Sequence, residues 1–367
     1  MKVIILKTSH MKMSISFLPL LTALAGFVSC SGGLADVRPE IPSGVEEARM
    51  TVRVLASGFD GTRADATADE KAFSSGVVWA FEGKGDDAVM VQSVPVSPSS
   101  PEASFTLRRG VTYRFVAWLN NVPSGDVSTW GALRDLGVFL KGDAPGRFTM
   151  TGSAVAVASD GVSVGIACVR QAARVRLMSV KVDFADTSSH YNKPFYVMRA
   201  FLINVQAADR PFLGEDGVFS AVSPAWYNER QVTTITPEAA RPLLVCPDGD
   251  SSVPLATISS NGTLEPGKSF YCYLNTTTQD FHNAPAGVAE KTRLVLECRL
   301  GSLTAKPCYY PATLGSVSRN HDYPVSFVIR GAGNGFPDDE WQGWTDVGGG
   351  AHSGDWEPGG LDPIPWE

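Results

Sequence analysis

Short stretches in which apolar and polar residues alternate constrain this chain more than any other feature. Residues 50–57, "MTVRVLAS", place Val52 and Val54 on one face, and a later stretch, "TYRFVAW", does the same with Tyr113 and Phe115. A period of two is that of a β-strand with one buried face. Glycine, proline and aspartate separate these stretches, and no long amphipathic helix pattern interrupts them. The sequence therefore predicts an all-β protein built from β-sandwiches.

The length of 367 residues is enough for two such sandwiches in tandem. We expect an N-terminal domain over residues 64–170 and a C-terminal domain over residues 171–331. The pair Asp160-Gly161 predicts a hairpin turn in the first domain. In the second, residues 173–184 change the parity of their alternation, and such a change inside a strand indicates a β-bulge.

Residues 120–150 show no clear period. Two large aromatic side chains, Trp130 and Phe139, fall in this irregular segment. We expect both of them to cover one end of the first domain's core, because large apolar rings are seldom left in water without a partner.

The N-terminus has the pattern of an export signal. Three lysines precede the apolar run of residues 15–30, "ISFLPLLTALAGFVSC", which is too short to span a bilayer. The run ends in small residues followed by Cys30, as in a bacterial lipoprotein. The pattern predicts a signal peptide over residues 1–29 and a lipid on Cys30 that anchors the chain in the outer membrane. The alternative is an incidental cysteine beside an ordinary cleavage site.

Charge and cysteine content limit the possible partners and chemistry. The formal net charge is −7, and the basic residues are scattered, so we expect no nucleic-acid partner. Five cysteines follow Cys30, and an odd number cannot all pair internally. Because none is in a C-x-x-C spacing, a zinc or redox motif is not predicted. Cys272 and Cys298 lie on the apolar faces of predicted strands, and their disulfide state stays open.

The sequence contains none of the common catalytic motifs. It has no G-x-S-x-G turn, no H-E-x-x-H pair and no phosphate-binding loop of the G-x-x-x-x-G-K-[ST] type. The acidic stretches 247–252 and 337–340 resemble calcium loops only in composition, because they lack the spaced set of ligands. We expect solvated turns there, no metal, no cofactor and no enzymatic activity.

Three stretches together resemble the fimbrillins of the Bacteroidales, the subunits of the type V pilus. The first is "SVSRNHDYPVSFVIRGAGNGFPDD", residues 316–339, which resembles the last core strand of that family. The others are "SFYCYLNTT" and "LRRGVTYRFVAWLNN". In the first stretch, Tyr323, Val325, Phe327 and Ile329 share one face, so the residues themselves predict a half-buried strand that begins after a turn at Arg319 and Asn320.

The resemblance implies a fold and a mode of assembly. The fold would be two transthyretin-like Greek-key β-sandwiches. The protein would be exported as a lipoprotein and would polymerise at the cell surface as a fimbria that contributes to adhesion, with other fimbrial subunits as partners. An Arg-specific protease would remove residues 30–63, a propeptide of tether and first strand. The vacated groove would then accept an extended segment of another subunit.

Two arginines are candidates for the cleavage site. Arg63 lies in a small, polar loop after the first strand, the kind of exposed segment that proteases cut. Arg49 is the alternative, but it precedes residues 50–57, so a cut there would leave the strand in the groove. We therefore expect cleavage after Arg63.

The chain ends in a segment, residues 332–367, that is rich in glycine, proline and tryptophan. We expect it to be the segment that enters a neighbouring subunit, anchored by large apolar side chains. The alternative is that it folds back over its own C-terminal domain. The anchoring residues would be Trp341, Trp344, Val347, Trp356 and Trp366.

Two other functions fit the same sequence. A surface lipoprotein that binds glycans would also be built from β-sandwiches, and tryptophan rings suit sugar faces. A secreted hydrolase with a β-sandwich accessory domain is the third possibility. If the chain is a pilus subunit, the sequence leaves open whether it serves as stalk, tip or anchor, although the arginine loop disfavours an anchor.

Overall fold

The computed structural model of the protein describes residues 46–56, 67–213, 244–247, 252–276 and 291–331, and the backbone of residues 334–335 and 364–366. The regular structure of these residues is almost entirely β. In chain order the elements are β1 (Glu47–Ala56), α1 (Ala68–Lys71), β2 (Gly76–Glu82), β3 (Val89–Val96), β4 (Glu102–Arg108), β5 (Thr112–Leu119), α2 (Trp130–Arg134), β6 (Val138–Phe139), β7 (Met150–Val157), β8 (Ser163–Arg170), β9 (Ala173–Val182), β10 (Phe195–Ile203), β11 (Ala208–Asp209), β12 (Val245–Cys246), β13 (Ala256–Ile258), β14 (Gly262–Leu264), β15 (Lys268–Cys272), β16 (Arg293–Leu300), β17 (Cys308–Thr313), β18 (Asp322–Ile329), β19 (Asn334–Gly335) and β20 (Ile364–Trp366).

The first sandwich is one path of seven strands in the order β3-β2-β5-β7-β8-β1-β4. The path bends between β7 and β8, which pair only at Met150–Arg170 and Thr151–Val169. This bend produces two layers, and the apolar faces of the strands enclose a core between them.

The hairpin predicted around Asp160-Gly161 is confirmed in its turn, and β7 and β8 pair antiparallel at the two positions farthest from that turn. Gly161 has a φ of +71°, which the turn requires. Near the turn, however, β7 pairs with β5 and β8 pairs with β1. The two strands separate near the turn because each joins a different layer, so local sequence predicts the turn and the β7–β8 pair but not how short that pair is.

The second sandwich packs two sheets face to face. One contains β9 and β18 with β14, β15 and β20 at their edges, and the other contains β10, β16 and β17 with β12, β13 and β19. The bulge predicted in β9 is confirmed. Its register with β18 shifts after Leu177, so Met178 has no partner there, and Val180 and Val182 return to the core.

The strand β18 is buried more completely than the sequence predicts. Tyr323, Val325, Phe327 and Ile329 face the core as expected, at 2% exposure or less. On the other face Asp322 is 0% exposed, because Arg174 and Arg176 of β9 donate hydrogen bonds to its carboxylate. The half-buried strand of the prediction is therefore a strand that is covered on both faces.

A single hydrophobic cluster runs from the outer face of β2 and β5 into the core of the second sandwich. Trp130 of α2 belongs to this cluster rather than to the core between the layers of the first sandwich, and it contacts Phe81 edge to face with 6.1 Å between ring centroids. Phe139 does not, since its side chain is 58% exposed while its neighbours Val138 and Leu140 are buried. Because the core is shared, the domain division at residue 171 stays a prediction.

No helix in the described part of the chain is long and apolar enough to cross a membrane. Among the same residues, no group of three or more His, Cys, Asp or Glu side chains is placed to hold a metal ion.

The β1 groove as candidate functional site

The strand β1 lies in the interior of its sheet although it comes first in the chain. It pairs antiparallel with β4 over residues 47–53 and parallel with β8 over residues 51–56. We call the channel between β4 and β8 that β1 fills the β1 groove. A parallel pair cannot arise from a hairpin, so β1 joins β8 across more than a hundred residues of intervening chain.

One face of β1 supplies five buried side chains to the core. They are Ala48, Met50, Val52, Val54 and Ala56, each 6% exposed or less. The alternation predicted for Val52 and Val54 is confirmed. Alanine stands at both ends of this series and larger side chains stand between them. The groove is therefore shallow at both ends and deeper in its middle.

The floor of the β1 groove is aromatic and aliphatic. Phe105 is the register partner of Met50, and its ring contacts Phe115 edge to face with 5.3 Å between centroids. On the other side, Ile166 and Cys168 are the partners of Val54 and Ala56. All four floor residues are 1% exposed or less with β1 in place. Burial raises the pKa of the Cys168 thiol to about 12.

The N-terminal end of β1 is held by hydrogen bonds to two turns. Asp160 accepts a hydrogen bond from the Arg49 N–H at 3.0 Å, and Gly161 N–H donates to the Arg49 carbonyl at 3.1 Å. The Arg49 amide, and after it the Arg109 guanidinium, hold the pKa of Asp160 below its usual value. Arg109 N–H also donates to the Glu46 carbonyl at 2.8 Å. These hydrogen bonds hold the N-terminal end of β1 through backbone groups, in addition to the core contacts of its buried side chains.

The chain that follows β1 is attached separately and deeply. Residues 57–66 lie outside the described residues, and α1 begins directly after Thr67, whose side chain caps it. Glu70 of α1 is 1% exposed and accepts hydrogen bonds from Arg174 and from the Tyr271 hydroxyl, at 3.0 and 2.9 Å. Both partners belong to the second sandwich. The chain is therefore fixed on both sides of residues 57–66 by independent contacts.

The predicted site residues fall in three places. Arg49 lies inside β1, paired with Thr106, so β1 begins earlier than the sequence predicts. Cys30 and Arg63 lie outside the described residues, as do Trp341, Trp344, Val347 and Trp356. The backbone of Trp366 is described within β20.

Two short pieces of the C-terminal segment pair with the chain's own second sandwich. β19 pairs with Cys308 and Tyr309 of β17, and β20 runs parallel to residues 327–329 at the edge of β18. Both β19 and β20 lie at the edge of their sheet. Pro365 is tolerated in β20 because an edge strand has one side without ladder hydrogen bonds.

Sequence analysis did not identify the floor of the β1 groove or Glu70. Phe105, Ile166 and Cys168 meet only through pairings between distant strands, and no local pattern encodes these. The T-x-x-E spacing of Thr67 and Glu70 is a capping-box signal, and both of its hydrogen bonds are present. That signal locates the helix start but does not reveal that Glu70 is buried.

The fold and the groove define an all-β protein with two sandwiches and a first strand enclosed by non-neighbouring strands. No protein-family model matches the chain, and no curated protein matches its sequence. Solved structures do match. A candidate cell adhesion protein from Parabacteroides distasonis has a TM-score of 0.55 at 15% identity, covering 80% of this chain and 91% of its own. A second from the same species has a TM-score of 0.56 at 14% identity, covering 80% and 95%.

A fimbrilin from Porphyromonas gingivalis has the same fold. Its TM-score is 0.51 at 13% identity, and the alignment covers 79% of this chain and 92% of the fimbrilin. The expected likeness to the fimbrillins of the Bacteroidales is confirmed at the level of the fold, which is all that identities this low show.

Proposed function

We propose that the chain is a structural subunit, stalk or tip, of a cell-surface fimbria and that it assembles by β-strand exchange. The observation that carries the proposal is the position of β1. Its one apolar face is buried in the core, β4 and β8 enclose it, and residues 57–66 join it to the chain that follows. The shared fold with fimbrial and adhesion proteins supports this function over an enzymatic one.

In the proposed pathway the chain is exported with a lipid on Cys30, which holds it at the outer membrane until maturation. An Arg-specific protease then cuts after Arg63. Removal of β1 would expose the floor of the groove and leave the facing edges of β4 and β8 without partners. Burying Met50, Val52 and Val54 contributes about 1.5–3 kcal/mol each, so the emptied groove strongly favours a replacement strand.

The structure favours Arg63 over Arg49 on physical grounds. Arg49 is part of a strand with neighbours on both sides, and a protease needs an extended, accessible segment. A cut after Arg63 leaves only three residues before Thr67. The buried contacts of Glu70 would then hold the new N-terminus close to the second sandwich while β1 departs.

The replacement strand is proposed to be the C-terminal segment of another subunit. Trp341, Trp344, Val347, Trp356 and Trp366 would be its anchors. An entering strand must present alternate side chains to a groove that is deepest at the positions of Met50 and Val52. Because Trp341, Trp344 and Val347 are three apart, it needs a bulge or twist to bury all three. It must also offer N–H groups to β4 and β8, which favours residues 338–347, because they contain no proline.

Thiol labelling at Cys168 tests the proposal directly. Cys168 lies beside Ala56 on the neighbouring strand β8 and is buried, so a thiol reagent should reach it only after β1 leaves. We expect treatment with an Arg-specific protease to begin the chain at Ala64, to expose Cys168 and to start polymerisation. Polymer formation should then protect Cys168 again.

The matched variants are Arg63→Ala and Arg53→Ala. Arg53 lies ten residues before Arg63 and has an exposed side chain on β1. Its substitution therefore removes a nearby arginine without changing the side chains that fill the groove. Only Arg63→Ala should block cleavage, Cys168 exposure and polymers. A start at Met50 would favour Arg49, and a monomer with an uncut N-terminus would favour the glycan-binding alternative.

A further inference from the structure

Two cysteines lie directly opposite each other in the second sandwich. Cys298 of β16 and Cys308 of β17 are register partners in an antiparallel pair. Opposite residues in such a pair have Cα atoms about 4.5–5.5 Å apart. Disulfides need Cα separations of about 4.4–6.8 Å, so the backbone already holds both residues at bonding distance.

The side chains also approach each other. The thiol of Cys308 donates a hydrogen bond to the carbonyl oxygen of Cys298 at 3.4 Å. Burial raises the pKa of the Cys298 thiol well above its ordinary value, and the neighbouring Cys308 raises it further. Both residues also belong to the same buried hydrophobic cluster.

The other described cysteines have no such arrangement. Cys168 is opposite Ala56, Cys246 is opposite Ala200 and Cys272 is opposite Ala173. Among the described strands, only Cys298 and Cys308 face each other. The odd number of cysteines after Cys30 is consistent with one pair and three thiols.

We propose that Cys298 and Cys308 are an oxidation site that forms an intramolecular cross-strand disulfide with a low-molecular-weight disulfide as oxidant. The thiolate of Cys308 attacks one sulfur of the oxidant, which releases one thiol and leaves a mixed disulfide on Cys308. The thiolate of Cys298 then attacks the Cys308 sulfur and releases the second thiol. The protein loses two electrons and two protons, and the oxidant becomes two thiols.

Accessibility sets the order of these two steps. Cys308 is 8% exposed and Cys298 is 0% exposed, so the oxidant reaches Cys308 first. Cys298 needs no access to solvent, because its target is the sulfur already bound to Cys308. Its raised pKa means that little thiolate is present near neutral pH, so the second step accelerates as the pH rises.

The disulfide would join β16 to β17, the strand against which β19 of the C-terminal segment pairs. On its other side, Cys308 pairs with Gly335 of β19, and the Tyr310 hydroxyl donates to the Gly331 carbonyl at 3.0 Å. Oxidation would therefore fix the β16–β17 hairpin at the point where β19 pairs with it. This consequence for assembly rests on the proposed function, whereas the disulfide itself does not.

Peptide mapping under non-reducing conditions tests the proposal. The folded, full-length processed protein is incubated with increasing cystine, its remaining thiols are blocked, and it is digested with trypsin. Cleavage after Arg293, Arg299 and Arg319 separates the two cysteines, and Lys306 is followed by proline and resists. We expect residues 294–299 joined to residues 300–319, two hydrogens lighter than the separate peptides and split by a reductant.

Two variants and a stability measurement complete the test. Cys298→Ala should abolish the joined peptides, and Cys272→Ala should leave them unchanged. Closing this short loop should raise the Tm of the oxidised wild type about 5 °C above that of the reduced protein. Another pairing, a disulfide between chains, or a bond that forms only in urea would overturn the proposal. Since the mapping uses the monomer, failure to polymerise would count against the fimbrial function alone.

Discussion

At the scale of single residues, a tyrosine occupies the same structural position in both sandwiches. Arg108 N–H donates to the Tyr113 hydroxyl, and Ser318 N–H donates to the Tyr323 hydroxyl, in each case from five residues earlier in the chain. Both rings are 1% exposed or less. This is the arrangement of a tyrosine corner, which fixes how the chain enters a core strand.

Removing the Tyr323 hydroxyl should therefore destabilise the protein without altering its surface. That oxygen accepts from Ser318 at 2.8 Å and donates to the Ser316 carbonyl at 2.9 Å. We expect Tyr323→Phe to lower the free energy of unfolding by about 1–3 kcal/mol, because both backbone groups lose a buried partner. Denaturant unfolding measures this change.

The matched variant is Tyr113→Phe. Its hydroxyl accepts from Arg108 at the longer distance of 3.2 Å, and Glu82 is its other partner, at 3.4 Å. We expect a smaller loss than for Tyr323→Phe. Equal stability of both variants and wild type would show that the corner hydroxyls contribute nothing.

At the scale of elements, α1 connects the two sandwiches although it has only four residues. A helix this short is not stable by itself. Its position is set by Glu70, which joins a buried charge cluster with Arg174, Arg176 and Asp322. Removing one member of such a cluster leaves a charge that is buried and uncompensated.

We expect Glu70→Gln to destabilise the protein by about 3–5 kcal/mol. The substitution keeps the shape of the side chain and removes its charge, so Arg174 would lose a carboxylate partner at 1% exposure. Asp69→Asn is the control, because Asp69 lies in the same helix with an exposed side chain. Calorimetric melting measures both variants. A Glu70→Gln protein as stable as the control would mean that α1 is held by its backbone contacts.

Strands with strong alternation could be predicted from sequence, while their neighbours could not. The bulge in β9 follows from the parity of Leu177 and Val180, which is local information. The strand β17 was missed because Pro307 and Pro311 interrupt its pattern. The pairing of β1 with β8 depends on which distant strand completes the layer, and no period in the sequence specifies that.

At the scale of the whole molecule, the β1 groove was expected only through the resemblance to the fimbrillins, because local sequence does not specify which distant strands become neighbours. The sequence predicts that Val52 and Val54 are buried, and the structure confirms it. It does not predict that Phe105, Ile166 and Cys168 lie beside β1 in the assembled sheet, since these residues come from strands far apart in the chain. The floor of the groove is a property of the assembled sandwich.

Deleting residues 338–367 tests whether the C-terminal segment serves its own subunit or a neighbour. Within the described residues, that part of the chain contributes only the three-residue strand β20, at the edge of β18. Losing so short an edge strand should cost little, because β18 keeps its full pairing with β9. We therefore expect the truncated subunit to stay folded and soluble, with a Tm within about 3 °C of the wild type.

The truncated subunit should fail as a donor and still succeed as an acceptor. After cleavage at Arg63 its groove is unchanged, so it should join the end of a chain built from full-length subunits and stop growth there. Mixing truncated and full-length subunits at increasing ratios should shorten the polymers seen on a detergent gel. A matched Asp362→Ala variant of the full-length chain, which keeps the segment, should polymerise normally. A truncated protein that unfolds, or that polymerises alone, would show that the segment folds back on its own sandwich or that another strand is the donor.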